Sequence, residues 1–222
     1  MGMTVSYRRP DGKECSAYYA APAAQGAAPG IVVIQEWWGL NEQIKGVAER
    51  LAQAGYRALV PDLFRGKVTL DVAEAEHLMA GLDFLDAATQ DVSGAVQFLK
   101  GDGAKVGVMG FCMGGAVAML AAVHVPQADA VVSWYGVPPD EAGDTRTIKA
   151  PLQGHFALND QFFPPERVDA LEALLKEGGV PYEFHHYAAG HAFANETGPN
   201  HDPQAAQLAW QRTMDFLRRR LA

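Results

Sequence analysis

Cysteine is nearly absent from this sequence: Cys15 and Cys112 are the only two in 222 residues. A chain of this length can fill one substantial hydrophobic core, so a disulfide framework is not needed to organise it. Cys15 falls in an expected early strand and reads as a small core residue. Positive charge is also in the minority, with Lys+Arg 18 against Asp+Glu 26 and a formal net charge of −8. That balance argues against a nucleic-acid role, although a pocket on an acidic protein can still be locally positive. Apolar runs are too short, and too often broken by Gly and Pro, to span a bilayer. The N-terminus has no basic region, apolar run and cleavage pattern of an export signal. Gly2 with Ser6 formally fits a myristoylation pattern, but Ser6 reads as part of a first strand. With a reduced thiol, the expected location is the cytoplasm. Neither an H-E-x-x-H motif nor a dense Cys/His cluster occurs, so no metal and no organic cofactor is expected. Internal repeats and low-complexity tracts are missing as well.

What is present is an alternation of strands and helices. Thr4–Tyr7 and Cys15–Ala20 read as an antiparallel hairpin turned by Arg9-Pro10-Asp11-Gly12. Pro22–Pro29 is a surface connector. Gly30–Gln35 is almost wholly apolar, as a central parallel strand buried on both faces would be. Asn41 caps an expected helix over Glu42–Ala54, whose Ile44, Val47, Ala48, Leu51 and Ala52 form one stripe. Strands are expected at Tyr56–Val60, Lys105–Met109, Ala130–Trp134 and Tyr182–Tyr187. Pro151–Ala157 is ambiguous by period but occupies a strand's place in the order. Helices are expected at Leu70–Gly81, Phe84–Leu99, Ala116–Val123, Pro165–Gly178 and Pro203–Leu221. The pattern argues for a single α/β domain over residues 1–222, with a doubly wound, mostly parallel sheet in three layers.

One motif carries chemistry. Gly110-Phe111-Cys112-Met113-Gly114 lies between an expected strand and an expected helix, the context of a G-x-S-x-G nucleophile elbow with cysteine in the serine position. A thiolate there would feel the helix N-terminus, which lowers a cysteine pKa; the alternative is a tight glycine turn around a structural cysteine. His191 sits in a Gly-flanked loop after the last strand, and Asp160 follows the preceding strand. The order nucleophile, acid, histidine is that of α/β-hydrolases. Asp160 is favoured over Asp129, which lies before its strand, and over Asp140 and Asp144 in an acidic loop. It would fix the imidazole tautomer that leaves Nε2 free to take the thiol proton. Glu36 follows the most apolar strand, where its carboxylate would need an Arg, a thiol or backbone donors nearby. The backbone N–H groups of Met113 and Trp37 are the expected oxyanion donors, and the Trp37 and Trp38 indoles are candidate pocket walls.

The sequence resembles the dienelactone hydrolase family of α/β-hydrolases. The resemblance rests on Gln35-Glu36-Trp37-Trp38-Gly39-Leu40-Asn41, Ala58–Phe64, Gly110–Gly115, Asp160 with Phe162-Phe163-Pro164, and Tyr187–Phe193. It implies a Cys112, Asp160, His191 triad, and a Glu36 that engages the resting thiol until substrate rearranges the contact. It also implies an enol-lactone substrate opened in bacterial catechol degradation, with Tyr135 and Phe163 near it. Family members selective for that substrate hold its carboxylate with arginines, one of them shortly after the histidine. Asn195 stands at that place here, and Arg65 and Lys67 are the basic candidates in the loop after Phe64. An amide in place of a bidentate guanidinium weakens anion binding. The resulting expectation is a cysteine hydrolase of a lactone or small ester, its alternative a general carboxylesterase or thioesterase preferring neutral acyl substrates. A retained scaffold with an unreactive Cys112 is the non-enzymatic reading. Small molecules are the only expected partners: no nucleic acid, no membrane and no obligate protein.

Overall fold

Five consecutive buried residues, Gly30–Ile34, form the strand on which the molecule is organised. The computed structural model describes residues 2–23, 28–101 and 103–222; part of the Pro22–Pro29 connector, residues 24–27, lies outside the described residues. Eight strands form one sheet: β1 Met3–Arg8, β2 Glu14–Ala20, β3 Gly30–Ile34, β4 Arg57–Pro61, β5 Val106–Phe111, β6 Ala130–Trp134, β7 Leu152–Asn159 and β8 Tyr182–Gly190. Their order is β1-β2-β4-β3-β5-β6-β7-β8. The β1–β2 and β2–β4 pairings are antiparallel and the remainder parallel, the topology of an α/β-hydrolase.

Because side chains alternate across a strand, each central strand feeds two cores. Val32, Ile34 and Val108 face the layer containing α4 (Ser93–Lys100), α5 (Met113–His124) and α6 (Pro165–Glu177). Ile31, Val33 and Met109 face α1 (Glu42–Gln53) and α7 (Pro203–Leu221). Helix α1 is amphipathic and starts where the Asn41 side chain accepts from Ile44 N at 3.1 Å. Helix α5 is different, with ten buried residues on all sides, as a helix sandwiched within a core must be.

Several boundaries differ from the sequence reading. The expected Phe84–Leu99 helix is α3 (Phe84–Asp86), a π-helical stretch Ala87–Val92, and α4. That stretch carries Asp91, which is 1% exposed and bonded by Arg9 and Arg65. The expected Leu70–Gly81 helix is α2, Val72–Ala80, capped by Asp71. The ambiguous Pro151–Ala157 segment is strand β7, extended to Asn159. Among the described residues no helix is long and apolar enough to cross a membrane.

The chain reverses its direction of strand addition at β3: β4 lies on one side and β5 on the other. The loops leaving β3 and β5 therefore diverge and open a crevice at the strand C-termini. Glu36 leaves β3 there, and Cys112 leaves β5.

Candidate active site

Strand β5 ends at Phe111 and α5 begins at Met113, so Cys112 alone turns the chain. The sequence reading started this helix three residues later; the observed elbow is tighter. Cys112 has φ 53° and ψ −117°, a left-handed conformation that costs a non-glycine residue about 1–3 kcal/mol. Its backbone is held on both sides, Cys112 N donating to Trp134 O at 2.9 Å and Cys112 O accepting from Gly115 N at 2.9 Å. The bend brings β5 and α5 so close that a Cβ on Gly110 would lie 1.9 Å from the Gly114 carbonyl oxygen.

His191 follows β8 and is aimed by another left-handed residue, Ala192, with φ 59°. Its Nδ1 lies 2.7 Å from Asp160 Oδ2, and its Nε2 lies 3.1 Å from Cys112 Sγ. The other oxygen of Asp160 accepts from the backbone N–H groups of Phe162 and Phe163 at 2.8 and 3.0 Å. Those bonds fix the carboxylate, which holds the imidazole proton on Nδ1 and leaves Nε2 as the acceptor for the thiol. Phe162 and Phe163 pack against the ring at 4.8 and 5.8 Å between centroids. Three segments distant in sequence thus meet as a sulfur, an imidazole and a carboxylate. Of the rival acids, Asp129 accepts from Val106 N and Lys100 Nζ at the opposite, N-terminal end of the sheet.

The surroundings of the thiol oppose the expected low pKa. Burial, and next the charge of Glu36, push the Cys112 thiol well above its ordinary value, and the N–H of Met113 opposes them only in part. Desolvation disfavours the thiolate more than one helix end favours it. A protonated sulfur in this position has His191 Nε2 as its acceptor at 3.1 Å.

Glu36 is 5% exposed, and among the described residues its carboxylate is bonded by two neutral side chains instead of an Arg, a thiol or backbone donors. Its Oε1 accepts from the Tyr135 hydroxyl at 3.1 Å and its Oε2 from Asn195 Nδ2 at 2.7 Å. Both donors are neutral, and burial raises the Glu36 carboxyl above the usual range against their opposing effect. Asn195 is itself buried, and its Oδ1 accepts from Thr197 N at 3.0 Å and Thr197 Oγ1 at 2.7 Å. Those two donors fix which way the amide faces. Tyr135 has φ 41°, so it too is left-handed and strained. Of the four non-glycine residues with positive φ among the described residues, only Arg65 lies away from this site.

A cavity of about 560 Å³ opens over Cys112, His191 and Glu36. Its walls are mainly apolar, including Trp37, Trp38, Met79, Phe84, Val137, Phe162 and Phe163. The two indoles meet edge-on at 5.2 Å. Met113, whose N–H reaches the sulfur, and Trp37 in the loop after β3 line the same space. Asn195 also lines it, but its amide is occupied by Glu36 and Thr197. Tyr135 is fully buried behind the cavity and meets it through Glu36.

Two candidates are elsewhere. The Arg65 guanidinium binds both oxygens of Asp91 at 2.8 Å and also reaches Cys15 Sγ and Asp62 O. A buried carboxylate 26 positions along the chain draws it off the cavity. Lys67 is exposed and lies outside the lining, in a loop whose next residue, Val68, bridges to Gly39. Among the described residues the Lys or Arg that lines the cavity is Arg167, which sequence reasoning missed. Its Nη2 donates to Pro138 O at 3.0 Å, its buried Nε has no acceptor among the described residues, and Asp140 stands 3.9 Å away. The available signal was Pro165, which starts α6 beside the strand ends and puts Arg167 in its first turn.

The comparisons agree with this architecture. The model of the Dienelactone hydrolase family matches residues 15–221. A protein of Methylorubrum extorquens named "Putative carboxymethylenebutenolidase" is 34% identical over 221 residues, covering 91% of this chain and 76% of that one. The solved structure of a "Putative Dienelactone Hydrolase" from Klebsiella pneumoniae superposes with a TM-score of 0.87 at 27% identity, covering 97% and 98% of the two chains. A dienelactone hydrolase-like promiscuous phosphotriesterase from metagenomic libraries shares the fold, with a TM-score of 0.87, 24% identity and coverage of 100% and 99%. With the family model spanning nearly its whole length, the chain belongs to the dienelactone hydrolase family and is a carboxylic ester hydrolase of the α/β-hydrolase fold, acting on small esters or lactones.

Proposed function

We propose that this hydrolase uses Cys112 as its nucleophile, forms a thioester acyl-enzyme, and serves as a general esterase or thioesterase for neutral acyl groups rather than for dienelactone alone. The observation that carries the reading is the continuous contact from Cys112 Sγ to His191 Nε2 at 3.1 Å and from His191 Nδ1 to Asp160 at 2.7 Å, set on a strained elbow.

Sulfur attacks the ester carbonyl while its proton passes to His191 Nε2, and the carbonyl oxygen becomes an oxyanion between the N–H groups of Met113 and Trp37. The C–O bond breaks, and the imidazolium returns its proton to the leaving alkoxide, giving an alcohol and a Cys112 thioester. Neutral His191 then takes a proton from water, hydroxide adds to the thioester, and the departing sulfur recovers that proton as the acid is released. With a lactone, alcohol and acid leave as one molecule. Asp160 keeps the imidazole oriented throughout and stabilises its charged form.

The preference for neutral substrates is supported by what surrounds the sulfur. The walls are mainly apolar, the Asn195 amide is already bonded, Arg65 is paired with Asp91, and Arg167 at the lining donates to Pro138 O. The catalytic breadth named for the metagenomic phosphotriesterase is compatible with such a pocket. A thiol that must stay reduced suits a cytoplasmic setting. The test compares wild type and Cys112→Ala on 4-nitrophenyl acetate, a thioester, and lactones with and without a carboxylate. Expected are turnover of the neutral esters, an acyl adduct on the Cys112 peptide at short times, and loss of both in the variant. Turnover retained by Cys112→Ala would refute the nucleophile assignment, and a strong preference for the carboxylate-bearing lactone would refute the substrate class.

A further inference from the structure

We propose that Asn195 is a positioning residue that clamps Glu36 away from the Cys112 sulfur, so that the thiol is coupled to His191 before any substrate arrives and needs no anionic substrate to free it. The proposal rests on Cys112 being the nucleophile.

Glu36 and Cys112 line the same cavity, and the carboxylate is near enough for its charge to act on the thiol. A buried carboxylate takes whatever donors are in reach, because leaving one of its oxygens bare is unfavourable. The thiol S–H, on the same cavity, is the competing donor in this proposal. Two others satisfy Glu36 instead, the Tyr135 hydroxyl at Oε1 and the Asn195 amide at Oε2. Neither is free to turn aside. Thr197 holds the Asn195 Oδ1 through its N–H and its hydroxyl, so Nδ2 must face Glu36. The left-handed backbone of Tyr135, whose N–H is tied to His155 O at 2.7 Å, fixes the origin of the phenol. With both carboxylate oxygens engaged, the Cys112 sulfur is left facing His191 Nε2 at 3.1 Å. Removing Asn195 leaves Oε2 without its shortest bond and offers it the thiol, in competition with Nε2.

The readout is alkylation of Cys112 by iodoacetamide in the absence of substrate, followed across pH by peptide mass, beside kcat and KM for 4-nitrophenyl acetate. Wild type alkylates at least tenfold faster than His191→Gln, and added butyrate changes neither its alkylation nor its turnover by more than twofold. Asn195→Ala lowers both the alkylation rate and kcat about tenfold, keeps KM within twofold, and becomes sensitive to added butyrate. Thr197→Val retains the backbone bond to Asn195 and loses only the hydroxyl, so it moves the same quantities about threefold. It carries the test if Asn195→Ala does not fold, because Thr197 is exposed. The clamp is overturned if the folded Asn195 variant stays within twofold of wild type in alkylation and kcat, or if butyrate activates wild type. Those results would leave hydrolysis through Cys112 standing. Failure of wild type to turn over any ester would strike the hydrolytic reading, and alkylation would still decide the clamp.

Discussion

Replacing Asp160 by asparagine changes almost no volume and should nevertheless disable the imidazole. In the structure one carboxylate oxygen accepts from the N–H groups of Phe162 and Phe163 and the other faces His191 Nδ1. The asparagine oxygen must stay with the two N–H donors, since an NH₂ placed there would confront both. Its NH₂ group must then face His191 and donate to Nδ1. That forces the imidazole proton onto Nε2, which points it at Cys112 Sγ and removes the acceptor for the thiol proton. The wrong tautomer costs about 10⁴-fold in kcat in Ser-His-Asp hydrolases, which corresponds to about 5.5 kcal/mol. Steady-state kinetics on 4-nitrophenyl acetate, with Cys112→Ala as the floor, measures the loss. Thermal unfolding should move little, by about 4 °C or less if the change in stability is near 1 kcal/mol, because the turn bonds survive. An Asp160→Asn protein retaining more than a tenth of wild-type kcat would refute the tautomer argument, and a loss of activity matched by a collapse in Tm would assign Asp160 to folding instead.

His155 supplies a stability prediction. It is fully buried, with Nδ1 at 2.8 Å from the Tyr187 hydroxyl and Nε2 at 2.9 Å from Gln153 Oε1, and burial, then the charges of His185 and Arg212, hold its pKa well below the ordinary value. The unfolded chain therefore takes up the proton first: the His155 contribution is level above about pH 6.5 and declines below it by up to about 1.4 kcal/mol per pH unit. Denaturant titrations from pH 7.5 to 4.5 should show that slope in wild type and a shallower one in His155→Gln; parallel slopes would exclude it. A Cβ on Gly136 would meet Cys112 O at 2.3 Å and Ala116 N at 2.6 Å, so Gly136→Ala should lower Tm by several degrees and kcat by more than tenfold, measured by calorimetry and ester turnover. Because Arg167 Nη2 is held by Pro138 O with Asp140 nearby, Arg167→Gln should change the ratio of kcat/KM for a carboxylate-bearing ester over its neutral analogue by less than threefold; a fall of tenfold or more, the worth of one charged hydrogen bond, would place Arg167 on the substrate and count against the neutral preference.

Much of the fold was legible because it depends on neighbours in sequence. The apolar run of β3, the capped stripe of α1 and the strand–turn–helix around Cys112 announce themselves within a dozen residues, and their alternation orders the sheet. The ends of β5, β7 and β8 then fall at one edge, which is why Cys112, Asp160 and His191 could be named as neighbours. What stayed hidden depends on partners far along the chain. Arg65 reads as a loop cation until Asp91 is placed beneath it. The π-helical turn that carries Asp91 has no distinctive local pattern. Asn195 reads as the loss of an arginine, whereas its amide is one half of the cradle around Glu36. The thiol's position on a helix end suggests an acidic sulfur only while its burial is unknown.

Cys112, Tyr135 and Ala192 come from three separate segments, and each adopts a backbone shape that its side chain disfavours. Such residues keep their form only while the surrounding packing outweighs their own preference. Relaxation at this edge of the sheet would release all three before the interior strands gave way, because local opening is graded across a fold. Catalysis is then a more sensitive thermometer than ellipticity: on warming or mild denaturation, turnover fades while the secondary-structure signal is still intact.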